Sequence, residues 1–193
     1  MSRILIIDGH PDPDPVRFLH ALAAAYAEGA AESGHAVEVL TLANLDIPLL
    51  RSAAEWEGGT LPPALAEAQA AISRAQHILI LYPLWLGALP ALLKAFLEQV
   101  LRPGFAIRRD HAGLSPGLLK GRSVRVVVTM GMPALIYRWF FGAHSLKSLE
   151  RNILRFCGLG PIRETLIGGV GGLDAAGRQR WLDRLRALGR AGR

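Results

Sequence analysis

A chain of 193 residues that is 51% hydrophobic and holds one cysteine can bury a full core as a single domain over 1–193 and can form no internal disulfide. Its formal net charge of +6 comes from 22 basic against 16 acidic residues. The densest basic cluster, Arg178, Arg180, Arg184, Arg186, Arg190 and Arg193, flanks an apolar stripe of Trp181, Leu182, Leu185 and Leu188; this is the wet face of an amphipathic helix, and it argues against nucleic acid as a partner.

In chain order, Arg3 to Asp8 reads as a first strand, and its apolar block of Ile4 to Ile7 is too short for a secretory signal, so a cytoplasmic protein is expected. Asp14 as N-cap and Pro15 as first helical residue predict a helix whose inward positions are Phe18, Leu22, Tyr26 and Ala30, stopped by Gly34. Ala36 to Thr41 alternates polar and apolar residues, as an edge strand does. A proline- and glycine-rich loop, Asp46 to Pro63, leads to a helix over Ala64 to Ala75 and then to a third strand, His77 to Tyr82.

The connection that follows, Tyr82 to Pro90, is almost wholly apolar, whereas loops on a protein surface are normally polar. It lies in the longest uncharged stretch, Ile78 to Leu93, which Pro83, Gly87 and Pro90 interrupt and which falls short of the ~20 residues of a membrane span. Leu92, Leu93, Phe96, Leu97 and Val100 mark the buried face of the next helix. Ser123 to Met130 is a fourth strand, Ser145 to Phe156 a helix, Ile162 to Ile167 a fifth strand and Ala175 to Gly189 the last helix.

Alternating strands and helices predict an α/β fold with parallel strands. Strands one, three and four are continuous apolar runs and belong in the middle of the sheet; strands two and five carry Glu38, Arg163 and Glu164 and belong at its edges. The order is therefore 2-1-3-4-5, a flavodoxin-like doubly wound sheet whose ligand crevice lies beyond the carboxyl ends of strands one and three. An apolar, proline-fixed loop at that crevice suits a flat hydrophobic ligand such as a flavin ring.

Three loops could carry chemistry. After strand one, Gly9-His10-Pro11 leads to Arg17, Phe18 and His20, a helix start whose free amides attract phosphate and whose Arg17 and His20 add side-chain donors. After strand four, Gly131 permits close backbone approach to a ligand, and Tyr137 and His144 are suited to proton transfer. Two readings stay open for that aromatic cluster: a catalytic pair, or residues buried and hydrogen-bonded at a subunit interface. Gly168 to Gly172 reads as a flexible edge loop. No dinucleotide fingerprint or Walker A sequence is present, the histidines lack metal-ligand spacing, and Cys157 reads as a packed small residue near a helix end.

On Gly9-His10-Pro11, Pro83 to Lys94, Arg102 to Ala106, Leu119 to Arg122 and Thr129-Met130-Gly131, the chain resembles the NAD(P)H:quinone oxidoreductase family of flavodoxin-fold flavoenzymes. The resemblance implies a flavin, FMN ahead of FAD, with His10, Arg17 and Phe18 at its phosphate. Pro83, Leu84, Trp85 and Leu86 would line the ring, and Thr129, Met130, Gly131 and Met132 its pyrimidine end. It implies Tyr137 and His144 as the catalytic pair, NAD(P)H as co-substrate, a quinone or similar small-molecule electron acceptor, and a homodimer. Arg102 to Arg122 and the aromatic cluster around Trp139 would then cover the partner's pocket. Arg17-Phe18-Leu19 stands where the family usually carries Ser-Phe-Asn. The competing expectation is a regulatory or ancillary subunit of a membrane transporter or another protein, in which this altered loop reflects weakened flavin binding.

Overall fold

The structure is a computed structural model and describes residues 1–109 and 117–193. Its sheet is parallel throughout, in the order β2-β1-β3-β4-β5, built from β1 (Arg3–Asp8), β2 (Ala36–Thr41), β3 (His77–Pro83), β4 (Ser123–Thr129) and β5 (Ile162–Ile167). This is the order predicted from apolar continuity. Every residue of β3 is buried, whereas β2 is half-buried or exposed along its length. Ile7 pairs with Ile80 and Leu81 with Val127, so β1, β3 and β4 end level and their following loops share one rim.

Two cores flank the sheet. On one face α1 (Phe18–Glu32) and α6 (Ala175–Arg190) cover Ile4, Ile6, Leu79, Leu81 and Val127. These two helices touch backbone to backbone: a Cβ on Gly29 would lie 2.0 Å from Arg186 O, and one on Gly189 would lie 2.1 Å from Tyr26 O. On the other face α3 (Pro63–Arg74) and α4 (Ala91–Val100) pack Leu65, Ile72, Phe96 and Val100 on Leu5, Ile7, Ile78 and Ile80, with α5 (His144–Ser148) beside them. Among the described residues no helix is long and apolar enough to cross a membrane.

The structure departs from the sequence expectations in three places. Helix α1 begins at Phe18 and not at Pro15, and Arg17, its N-cap, makes no side-chain cap. The cause is upstream: Asp12 accepts from the Asp14 amide and Asp14 from the Val16 amide, so short aspartate turns hold this backbone out of the helix. The loop before α3 contains a short helix, α2 (Ala53–Gly58), started by Ser52 Oγ accepting from the Glu55 amide at 3.1 Å. The helix expected over Ser145 to Phe156 is α5 followed by a widened π-type turn, Leu149–Arg155, and another such turn, Ile136–Phe140, precedes it. Of the segment expected to cover a partner's pocket, residues 110–116 lie outside the described residues.

Candidate functional site

The loops after β1, β3 and β4 enclose a cavity of about 270 Å³ lined by His10, Arg17, Phe18, Leu19, Pro83, Leu84, Trp85, Thr129, Met130, Gly131 and Val170. Nine of the thirteen residues singled out from the sequence line it; Leu86, Met132, Tyr137 and His144 do not. It sits where a doubly wound sheet places its ligand.

The apolar wall comes from the loop after β3. Leu84 N donates to Thr129 O at 2.7 Å, which ties the wall to the end of β4. Trp85 and Ala88 then exchange backbone hydrogen bonds of 3.0 and 2.9 Å around Leu86 and Gly87, both with positive φ. Gly87 adopts that conformation freely, but Leu86 is strained by about 1–2 kcal/mol. Its side chain stands fully exposed at the turn's tip instead of lining the cavity as the resemblance implied.

The loop after β4 contributes Gly131 beside Thr129 and Met130. An added Cβ on Gly131 would meet no protein atom within 4 Å, so this residue leaves open space at the cavity edge. Val170 and Leu19 were missed in the sequence. Val170 arrives because the Gly168 to Gly172 run is not a free edge loop: Gly169 N donates to Met132 O and Val170 N to Met130 O, and a Cβ on Gly168 would lie 2.2 Å from Ala134 N. The glycine run was the available signal, since close backbone approach is a common reason for glycine.

At the end bordered by α1, the helix presents the first-turn amides of Phe18 and Leu19, and His10 borders the same space with its ring edge-on to Trp85 at 5.8 Å. Arg17 is held by two carboxylates, Asp12 at 2.8 Å and Asp14 at 3.3 Å. Exposed pairs of this kind are weak, so Arg17 can exchange partners at little cost. Burial, and then the neighbouring His20, hold the His10 pKa below its ordinary value, so His10 is neutral at physiological pH.

Tyr137 is buried behind the loop after β4. Its hydroxyl bonds to Ser145 Oγ at 2.8 Å and accepts from the Leu146 amide at 3.3 Å. Tyr137 is thus hydrogen-bonded within its own chain, whereas the interface reading placed both Tyr137 and His144 in hydrogen bonds at a subunit contact. His144 is exposed. Leu135, Trp139 and Phe140 are also exposed, at 70%, 79% and 81%, and Phe140 and Phe141 meet edge to face.

The family described as having a flavodoxin-like fold matches residues 2–188. The chain belongs to this flavodoxin-like family. Among relatives of the flavodoxin-like chain, an FMN-dependent NADH:quinone oxidoreductase of Nitratidesulfovibrio vulgaris is 30% identical, covering 93% of each sequence. An NAD(P)H oxidoreductase of Haemophilus influenzae is 29% identical over 93% of this chain and 90% of its own. Among solved structures, the NAD(P)H:quinone oxidoreductase of Methanothermobacter marburgensis superposes with a TM-score of 0.80 at 25% identity, covering 98% of this chain and 96% of that one.

Proposed function

We propose that this chain is a flavin-dependent oxidoreductase that takes hydride from NAD(P)H and delivers it to a quinone or a similar small acceptor. The observation that carries the reading is the cavity itself. An apolar wall of Pro83, Leu84 and Trp85 shares one cavity with the side-chain-free edge at Gly131, and the start of α1 and His10 border the same space. The residues fit FMN, whose flat ring suits the wall and whose single phosphate suits the helix start.

When bound, the flavin supplies the redox chemistry, accepting hydride from the nucleotide and passing it to the acceptor. The chain contributes position and electrostatics. Trp85, Leu84 and Pro83 would shield the ring from water, and the backbone at Thr129 to Gly131 would help to hold it in place. His10 and the Phe18 and Leu19 amides would hold the phosphate, and Arg17 would add a charge-assisted contact on exchanging Asp12 and Asp14 for it. In this reading Tyr137 holds the turn from Pro133 to Leu146 through its two hydrogen bonds, and exposed His144 is free to meet an acceptor.

A homodimer belongs to the same proposal. The cavity of about 270 Å³ is smaller than the ~300–1,000 Å³ of sites that bury most of a ligand. Fully exposed Leu86 beside it and the exposed Leu135, Trp139 and Phe140 form apolar surface that a second copy would bury. Sedimentation as a monomer at micromolar concentration would remove this part.

The test of the activity is the absorbance spectrum of the purified protein, as isolated and after FMN reconstitution, followed by anaerobic NADH and NADPH. Bleaching of bound flavin is expected. A protein that takes up no flavin refutes the enzyme and leaves the ancillary-subunit reading, which the capture of Arg17 by two carboxylates favours.

A further inference from the structure

His20, in the first turn of α1, has both ring nitrogens against acceptors. Nδ1 lies 2.5 Å from Asp8 Oδ2, and Nε2 lies 2.9 Å from the backbone oxygen of Asp12. The other Asp8 oxygen already accepts from the His10 amide at 3.1 Å. An ionised carboxylate and a carbonyl can only accept, so with Asp8 ionised this geometry calls for hydrogen on both nitrogens of His20, an imidazolium.

His10 is in the opposite state. Its Nδ1 accepts from the Asp12 amide at 3.1 Å, which leaves the hydrogen of a neutral ring on Nε2. Its ring lies 5.3 Å from that of His20, close enough for one fixed cation to oppose a second. His10 Nε2 has no hydrogen-bond partner among the described residues, and the residue lines the cavity. The contacts run in one line: Asp8 to His20, His20 to the Asp12 carbonyl, the Asp12 amide to His10, and His10 to the cavity.

We propose that His20 is a positioning residue for phosphate recognition, a fixed imidazolium that pins the β1–α1 loop to the end of β1 and so presents His10 as an Nε2–H donor to the phosphate of the flavin. The proposal rests on the flavin reading of the cavity. It assigns a task to two residues, Asp8 and His20, that touch no ligand themselves. Sequence reading treated His20 as a direct donor; both its nitrogens are already engaged.

The titratable and charged groups near His20 are Asp8 from β1, Asp12 and neutral His10 from the loop, Arg17 and Asp14 beside them, and Arg178 from α6, which lies over the ring of the nearby Phe18. Burial works against the imidazolium, but the hydrogen bonds to Asp8 and to the Asp12 carbonyl outweigh it and raise the His20 pKa. A raised histidine contributes fully below its unfolded value near 6.5 and loses that contribution as pH rises through the folded value. On losing a proton, His20 faces one acceptor with a lone pair and must release it, and His10 loses its fixed orientation.

The experiment has two arms. Long-range proton–nitrogen correlation spectra of histidine-labelled apoprotein at pH 7.5 should show His20 protonated on both nitrogens and His10 on Nε2 alone; a singly protonated His20 overturns the proposal. Fluorescence titrations with FMN and with riboflavin from pH 7 to 9, where the phosphate stays dianionic, should show FMN affinity falling about tenfold with a one-proton dependence while riboflavin stays level. His20→Gln and Asp8→Asn should each weaken FMN about tenfold at pH 7, leave riboflavin unchanged and abolish the pH dependence. Wild-type FMN affinity in both variants overturns the proposal. If neither flavin binds the wild type, the flavin reading falls separately, and inorganic phosphate decides the rest: it must shift the His10 Nε2–H signal, and an unmoved signal refutes the positioning role.

Discussion

Replacing Gly131 by valine separates the site from the fold. Gly131 lines the cavity, its φ lies outside the left-handed region, and an added Cβ would meet nothing within 4 Å. The apoprotein should therefore tolerate the change, with stability altered by no more than about 0.5 kcal/mol, the usual range for substitutions without a contact penalty. The flavin must meet the new methyl groups in a cavity of only about 270 Å³. Overpacking a fitted site costs about 1–3 kcal/mol, and at about 1.4 kcal/mol per decade the FMN dissociation constant should rise between about 5- and 140-fold. Fluorescence titration measures the affinity, and thermal denaturation of the apoprotein measures the fold. FMN binding at wild-type strength would show that the ring does not lie against Gly131. A destabilised apoprotein would show that the space beside it is not free.

Tyr137→Phe strands the Leu146 amide and Ser145 Oγ, so it should cost about 1–2 kcal/mol and lower Tm by about 2–8 °C; a reduction rate by NADH unchanged in single turnover supports the holding role, and a large fall in that rate restores Tyr137 as a direct catalyst. Gly29→Ala drives a methyl into the Arg186 carbonyl, and after the roughly 1 kcal/mol gain in helix propensity the net loss should be about 2 kcal/mol, read as a Tm lowered by about 4–8 °C. Burial pulls the His77 pKa down to about 4. The unfolded chain therefore takes up this proton first as pH falls below about 6.5, and stability should drain by up to about 3 kcal/mol by pH 4. Urea denaturation of wild type and His77→Gln at pH 7 and 4.5 isolates that share, and equal losses in both proteins would refute it.

Much of this architecture is legible in one dimension. Whether a strand is apolar without interruption or alternates is a property of neighbours in the chain, and it is enough to order β2-β1-β3-β4-β5 and to place the crevice. The apolar loop after β3 is legible for the same reason, because a solvent-facing loop has no need of Leu84, Trp85 and Leu86 in succession. The start of α1 was misread because Asp12 and Asp14 satisfy backbone amides locally, a competition that propensity cannot weigh. The resemblance implied Leu86 along the ring, but its left-handed backbone turns the side chain out to solvent.

The sequence alone determined which segments are buried, their order and the end of the sheet where the cavity opens. Only the tertiary structure decided what the polar groups there are free to do. Tyr137 finds Ser145, Val170 is carried in by glycines docked on the loop after β4, and His20 meets Asp8 from a different element. Hydrophobic burial is non-directional and survives as a pattern along the chain, whereas a proton's position depends on which acceptor lies within 3 Å of it, and only the folded backbone sets that distance.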